Sequence, residues 1–311
     1  MNRRPAILLL IGAAALVSSA PVSAQAFTPP AGVGAVTVAW QYVDNTGHRF
    51  SDGFLISRGE SVTASTLLEV DYGVSDRLSL SVGIPYVFAK YTGALPPPSR
   101  LPGDACACWH SGFQDFAISA RYRFGNELWA VTPSVRFLIP SHDYPYRGEA
   151  VVGRNLQETQ AGISSAVRLP GVLRKMTLES GYTYAFVEKP LPDISINRSD
   201  ASFSAGYSLG ERFFVRAGAN WVGTNGGLRI GSPSGKPFFP PGELNTPERF
   251  AQRDRLLRVQ YWQAGAGLAY NIGPVDIFAS YSKYIWGRNA HDGQVYTLGT
   301  TWYFNSPLHL R

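Results

Sequence analysis

Apolar and polar residues alternate along most of this chain. In VTASTLLEVDY (62–72), Val62, Ala64, Thr66, Leu68, Val70 and Tyr72 form one mostly apolar face, while Thr63, Ser65, Glu69 and Asp71 lie on the other. GVSD follows, a run of residues that tolerate turn geometry. RLSLSVGIPYVF (77–88) then sets Leu78, Leu80, Val82 and Ile84 against Ser79, Ser81 and Gly83. Successive side chains of a strand point to opposite faces, so a period of two predicts two antiparallel strands across a tight turn.

The pattern recurs over 32–43, 113–124, 128–139, 156–169, 175–187, 202–209, 212–222, 258–272, 275–286 and 294–304, which with the opening pair makes twelve strands. Pro133 falls inside one of them, where a missing ladder donor calls for a bulge. The connections alternate. Loops are expected over 44–60, 91–112, 141–154, 188–198, 223–257 and, more briefly, 287–293, with tight turns between. Each strand is about long enough to cross a bilayer at a tilt, and short turns on one side with long loops on the other mark an outer-membrane arrangement. The expected fold is therefore all-β: a transmembrane antiparallel up-and-down β-barrel of about twelve strands, with short periplasmic turns and long extracellular loops. An even count returns both ends of the mature chain to the periplasm.

Composition agrees with this. Charged residues are 16% of the chain, against about 25% in an ordinary soluble domain. Glycine (32), tyrosine (16), phenylalanine (17) and tryptophan (7) are abundant. Mean hydropathy is −0.07, and nothing past the N-terminus offers the roughly twenty continuous apolar residues of a membrane helix. The N-terminus itself reads as a secretory signal: Arg3 and Arg4, an apolar run from Ala6 to Val17, and small residues ending at Ala24 or Ala26. Residues 1–24 are expected to be removed, with cleavage after Ala24 or Ala26, leaving 25–311 as one barrel domain. Pro5 departs from the twin-arginine pattern and favours the general secretory route. The formal charge of +6 loses two with Arg3 and Arg4. No basic cluster reads as a nucleic-acid surface.

Lipid dictates which face is which. A charge facing hydrocarbon at mid-membrane costs about 2–4 kcal/mol, so charged strand residues belong inside. By parity the expected lumen-lining residues are Glu69, Asp71, Asp115, Arg121, Arg123, Arg136, Glu158, Arg168, Lys175, Glu179, Arg216 and Asp276. Both signs occur, so they can pair across the lumen. They either brace a closed tube or line a polar constriction, and twelve strands lie between a filled barrel and an open porin. Inward Gly83, Gly162, Gly181, Gly206, Gly218, Gly265, Gly267 and Gly299 leave room for a narrow pore or permit strand bending. Aromatics near strand ends fit interfacial girdles, with Trp40, Tyr42, Tyr86, Phe88 and Trp221 outside and Tyr72, Phe124, Trp129, Tyr270 and Trp302 inside. The ending Trp302-Tyr303-Phe304 resembles the signal read by the barrel-assembly machinery, although seven residues follow it.

DYGVSDRLSLSVGIPYVF followed by GFQDFAISARYRF resembles the outer-membrane barrel family of phenol meta-pathway "transporter" proteins, whose members share the G-[VL]-[ST]-[DE] turn, S-[VL]-G-[IV]-P-Y and a Gly-x-x-Asp strand start (here Gly112 to Asp115). The resemblance implies an outer-membrane channel for small hydrophobic or aromatic compounds, with no cofactor and no catalytic residue.

Two loops carry further chemistry. Cys106-Ala-Cys108-Trp109-His110 supplies only three ligands for a soft metal, so a loop disulfide or idle thiols is the favoured reading and no metal site is expected. In TPERFAQRDRLLR a short amphipathic helix would set Phe250, Leu256 and Leu257 against Arg249, Arg253 and Arg255. It is read first as an exposed loop meeting lipopolysaccharide phosphates, and second as a lid or plug. His48, His110, His142, His291 and His309 are expected in loops or the tail. The function expected is passive uptake of small hydrophobic or aromatic solutes through a non-enzymatic channel in the bacterial outer membrane. The alternatives are a structural or adhesive barrel, and a lipid-modifying barrel enzyme.

Overall fold

The computed structural model describes residues 26–57, 59–93, 107–148, 150–229, 243 and 246–305. The expected signal peptide, the triple proline at 96–98, Cys106 and His309 lie outside these.

The chain closes into an antiparallel barrel of twelve strands. They are β1 (Val33–Arg49), β2 (Glu60–Gly73), β3 (Leu78–Thr92), β4 (Asp115–Tyr122), β5 (Trp129–Pro140), β6 (Glu158–Arg168), β7 (Met176–Val187), β8 (Ile196–Leu209), β9 (Phe213–Gly226), β10 (Gln260–Ile272), β11 (Val275–Arg288) and β12 (Ala290–Asn305). Each pairs with its neighbours in sequence, and β12 returns to β1 over a register from Val33 opposite Asn305 to Arg49 opposite Ala290. Among the described residues, closure pairs the first strand with the last, as hydrocarbon requires. The turns 74–77, 123–128, 169–175, 210–212 and 273–274 lie at the end where β1 begins and β12 ends, the periplasmic end in this class, and all but one of the connections at the other end are longer.

Several boundaries differ from the sequence expectation. The polar stretch DNTGHR belongs to β1, because the matching extension of β12 supplies a ladder for its backbone despite poor strand propensity. His48 and His291 consequently face each other in register within strands. The expected loop 287–293 shrinks to Asn289, which adopts a positive φ of 47° between β11 and β12. β8 starts at Ile196, drawing Arg198 and Asp200 into the wall. β4 is preceded, past Gln114, by a short outer extension, His110–Phe113, which pairs with β3. Pro133 sits in β5 opposite Ile163, on the exposed side.

The outward face of the strands is apolar. Val82, Phe137, Ile163, Phe203, Leu268 and Leu298 are all exposed large hydrophobics, the pattern of side chains solvated by lipid rather than water. Phe88, Phe124, Trp129 and Trp302 lie on the same face near strand ends, whereas Trp40, expected at the outer rim, stands at mid-strand opposite Leu298 because β1 extends to Arg49. Leu298→Arg, in the middle of β12, is expected to cost about 2–4 kcal/mol in urea titrations of the protein refolded into lipid vesicles. An unchanged midpoint would mean that this face does not meet hydrocarbon.

Candidate lumen and its two obstructions

The inward face carries most of the strand charges, and three pairs form across intervening strands. Arg121 on β4 binds Asp71 on β2 over β3. Glu158 on β6 meets Arg198 on β8 at 3.0 Å over β7. Glu179 on β7 meets Arg216 on β9 at 3.4 Å over β8. The first and third pairs reach past small residues on the strand between, Ser79 and Ser81, and Ser204 and Gly206, while the second passes between Ala185 and Val187. A larger inward side chain there would block the contact.

Glu158 is the hub. It accepts from Arg154, from both Nη atoms of Arg198 (3.0 and 3.4 Å) and from Gln160 at 3.0 Å. Arg198 also reaches Asp200 at 3.3 Å. Arg136 has Glu69 and Glu158 as its opposite charges. Asp115 accepts from Tyr144. Asp276 accepts from Asn271 (2.8 Å) and Tyr303 (3.0 Å). Arg168 lies 4.6 Å over the ring of Phe27, and Lys175 is exposed at the turn end. Arg123 also sits at that end, its guanidinium donating to the carbonyl of Asp76 at 2.9 Å.

Sequence reasoning missed Arg154, Arg198 and Asp200. The last two share parity with Ser202 and fall on the inner face once β8 is begun six residues earlier. Arg154 lies in a loop, where strand parity gives no signal.

The wall is asymmetric. Along β9–β11 the middle of the inner face holds Gly218, Gly265, Gly267, Ser280 and Ser282. Two of the glycines expected to leave space are instead roofed by rings, Gly206 by Phe214 and Gly299 by Phe278, at distances no Cβ would allow.

The loop end is filled from within. Tyr144 packs against Val87 and Val152, its hydroxyl accepting from the Asn155 amide at 3.0 Å. Burial and the adjacent Asp115 carboxylate push its phenol well above the usual range, so it stays a donor. Ala150 joins Ala89 and Tyr91. In the longest loop, α1 (Pro247–Ala251) and α2 (Arg253–Leu256) form two short helical turns rather than one amphipathic helix. Leu256 is fully buried among Leu156, Ala185, Val187, Ile194 and Ile196, on the inner wall of β7 and β8. Arg255 donates to the carbonyls of Arg154 (2.6 Å) and Asn155 (2.9 Å) and stacks on Tyr146, 3.1 Å from the ring centroid. Arg253 and Asp254 are also buried, and Arg249 pairs with Asp193 at 2.8 Å. The exposed-loop expectation is thus corrected for 253–257. Two leucines can be buried there, and the arginines find carbonyls and carboxylates of the chain itself.

At the turn end a cavity of about 420 Å³ opens between Phe27, Arg168, Glu179, Phe214, Asn271 and Asp276. Elsewhere, Cys108 is disulfide-bonded, with Cys106 the only other cysteine in the chain. No group of three or more metal-ligating side chains occurs among the described residues. Ser141 Oγ lies 2.9 Å from Nδ1 of its neighbour His142, the nitrogen that a hydrolytic triad turns toward its carboxylate, while Asp143 accepts from Asn155.

No protein-family model matches the sequence, and no curated protein sequence does. Solved structures do match it. The COG4313 outer membrane channel from Pseudomonas putida F1 is similar at a TM-score of 0.68 and 13% identity, over 90% of this chain and 98% of that one. The NanC porin (TM-score 0.47, 10% identity, 86% and 98% covered) and the TodX monoaromatic hydrocarbon channel (TM-score 0.45, 8% identity, 89% and 91% covered) are more distant. At such identity the first likeness speaks to the fold, and that fold is the outer-membrane β-barrel.

Proposed function

We propose that the chain is an outer-membrane channel for passive uptake of small hydrophobic or aromatic solutes. The observation that carries the reading is a closed barrel, apolar outside, whose inner face sets ion pairs between strands beside a mid-strand stretch of small residues, Gly218, Gly265, Gly267, Ser280 and Ser282, on β9–β11. Such a stretch gives a neutral solute room at mid-membrane, between the segments that fill the two ends. The likeness to a channel of the same fold supports the reading. The aromatic preference rests on the resemblance at residues 70–124 and on the ring faces of Phe27 and Phe214 in the turn-end cavity.

The purified protein in planar bilayers should give stepwise currents, and proteoliposomes should admit phenol-sized solutes faster than disaccharides. Absence of permeability to either class would sink the reading. One observation favours the alternative of a structural barrel: both ends of the lumen hold the chain's own segments. The same experiment decides between the two.

A further inference from the structure

We propose that residues 26–30 form a strap across the turn end of the lumen, and that Phe27, held under Arg168, is the residue that decides which solutes leave the cavity there. The inference rests on the channel reading and adds the element that sets its exit.

The path of the chain carries the argument. Backward from β1, the Gly32 amide donates to Gly73 O at 2.8 Å and Val33 N to Pro30 O at 3.1 Å, while Ala31 N reaches Asp76 Oδ1 at 3.1 Å. A Cβ on Gly73 would fall 2.0 Å from Pro30 O, so only glycine admits the segment against the end of β2. Four residues further back the chain has reached a different wall. Ala26 is buried with Ala130 of β5 and Ala166 of β6, and its carbonyl accepts from Thr132 Oγ1 at 2.6 Å. Ala130, Thr132 and Ala166 share the inward parity of Arg136 and Glu158. A segment anchored on β1–β2 at one end and inside β5–β6 at the other must cross the opening. Thr28 is buried on the way, and prolines at 29 and 30 stiffen the span. Phe27 forms one wall of the cavity and stacks under the Arg168 guanidinium at 4.6 Å. The stacking offers a reversible hold: an aromatic solute presents the same face to Arg168 and can take the place of Phe27.

The strap also bears on export. It requires Ala26, so processing after Ala24 preserves it and processing after Ala26 removes its Thr132 contact.

The test uses the full chain exported to the membrane. Ala26→Cys with Ala166→Cys should cross-link on oxidation, and intact mass should place Gln25 first. In bilayers Phe27→Ala should raise the mean conductance at least twofold, and the cross-linked form should lose switching that reductant restores, with reductant-treated wild type as control for the native disulfide. A failed cross-link, or a mature chain beginning at Phe27, overturns the strap. Wild-type conduction that neither Phe27→Ala nor cross-linking alters overturns its role while the channel reading stands. A cross-linked barrel with no current in any form, Phe27→Ala included, overturns the channel reading and the strap's role with it.

Discussion

Glu158→Ala should destabilise the barrel by about 3 kcal/mol, the low end of what breaking a buried ion pair costs. The carboxylate is only 6% exposed and is shared by Arg154 and Arg198, each about a fifth exposed. Removing it leaves two guanidiniums facing each other on the inner wall, one on β8 and one in the loop that precedes β6. Their partial exposure to the lumen is why the low end applies: some hydration remains available to each. Urea unfolding in vesicles measures the effect, with Glu211→Ala in the exposed turn between β8 and β9 as a control expected to stay within about 0.5 kcal/mol. A loss below about 1 kcal/mol would show that lumen water already solvates both arginines, and that the pairs contribute little to holding the wall.

Arg255→Ala should release the outer obstruction without unfolding the barrel. Its guanidinium makes two charge-assisted hydrogen bonds to backbone carbonyls and one stack on Tyr146. Such bonds are worth roughly 1.5–3 kcal/mol each before water replaces them, and the stack about 0.5–2 kcal/mol. Arg255 is only half-buried, so water recovers part of this, and a net loss of about 2 kcal/mol is expected. That corresponds to about a thirtyfold fall in the equilibrium constant for docking, since 1.36 kcal/mol is a factor of ten. Hydrogen exchange at the amides of 255–257 should accelerate by that factor while β6–β8 keep their protection. Unchanged exchange would mean that burial of Leu256 alone holds the segment.

The barrel was legible because its signals are local. The alternation at 62–72 and 77–88, the GVSD turn, and the spacing of tight and long connections each follow from backbone geometry within a few residues. Strand ends were less so. DNTGHR has the composition of a loop and becomes strand because β12 offers a partner, a non-local contact that overrides propensity. The inward charges were found by parity, but their pairing was not. Which carboxylate meets which guanidinium depends on strand register and on small residues such as Ser81, Ala185 and Ser204 on the strand between.

Alternation, few charges and aromatic strand ends were enough to place one face in lipid and to set the architecture, because a bilayer admits so few backbone solutions. What occupies the lumen was decided in three dimensions. The burial of Leu256, the carbonyls waiting for Arg255 and the passage of Phe27 to Arg168 all join segments far apart in the chain. A loop's destination depends on the surface it meets, which its own residues do not encode.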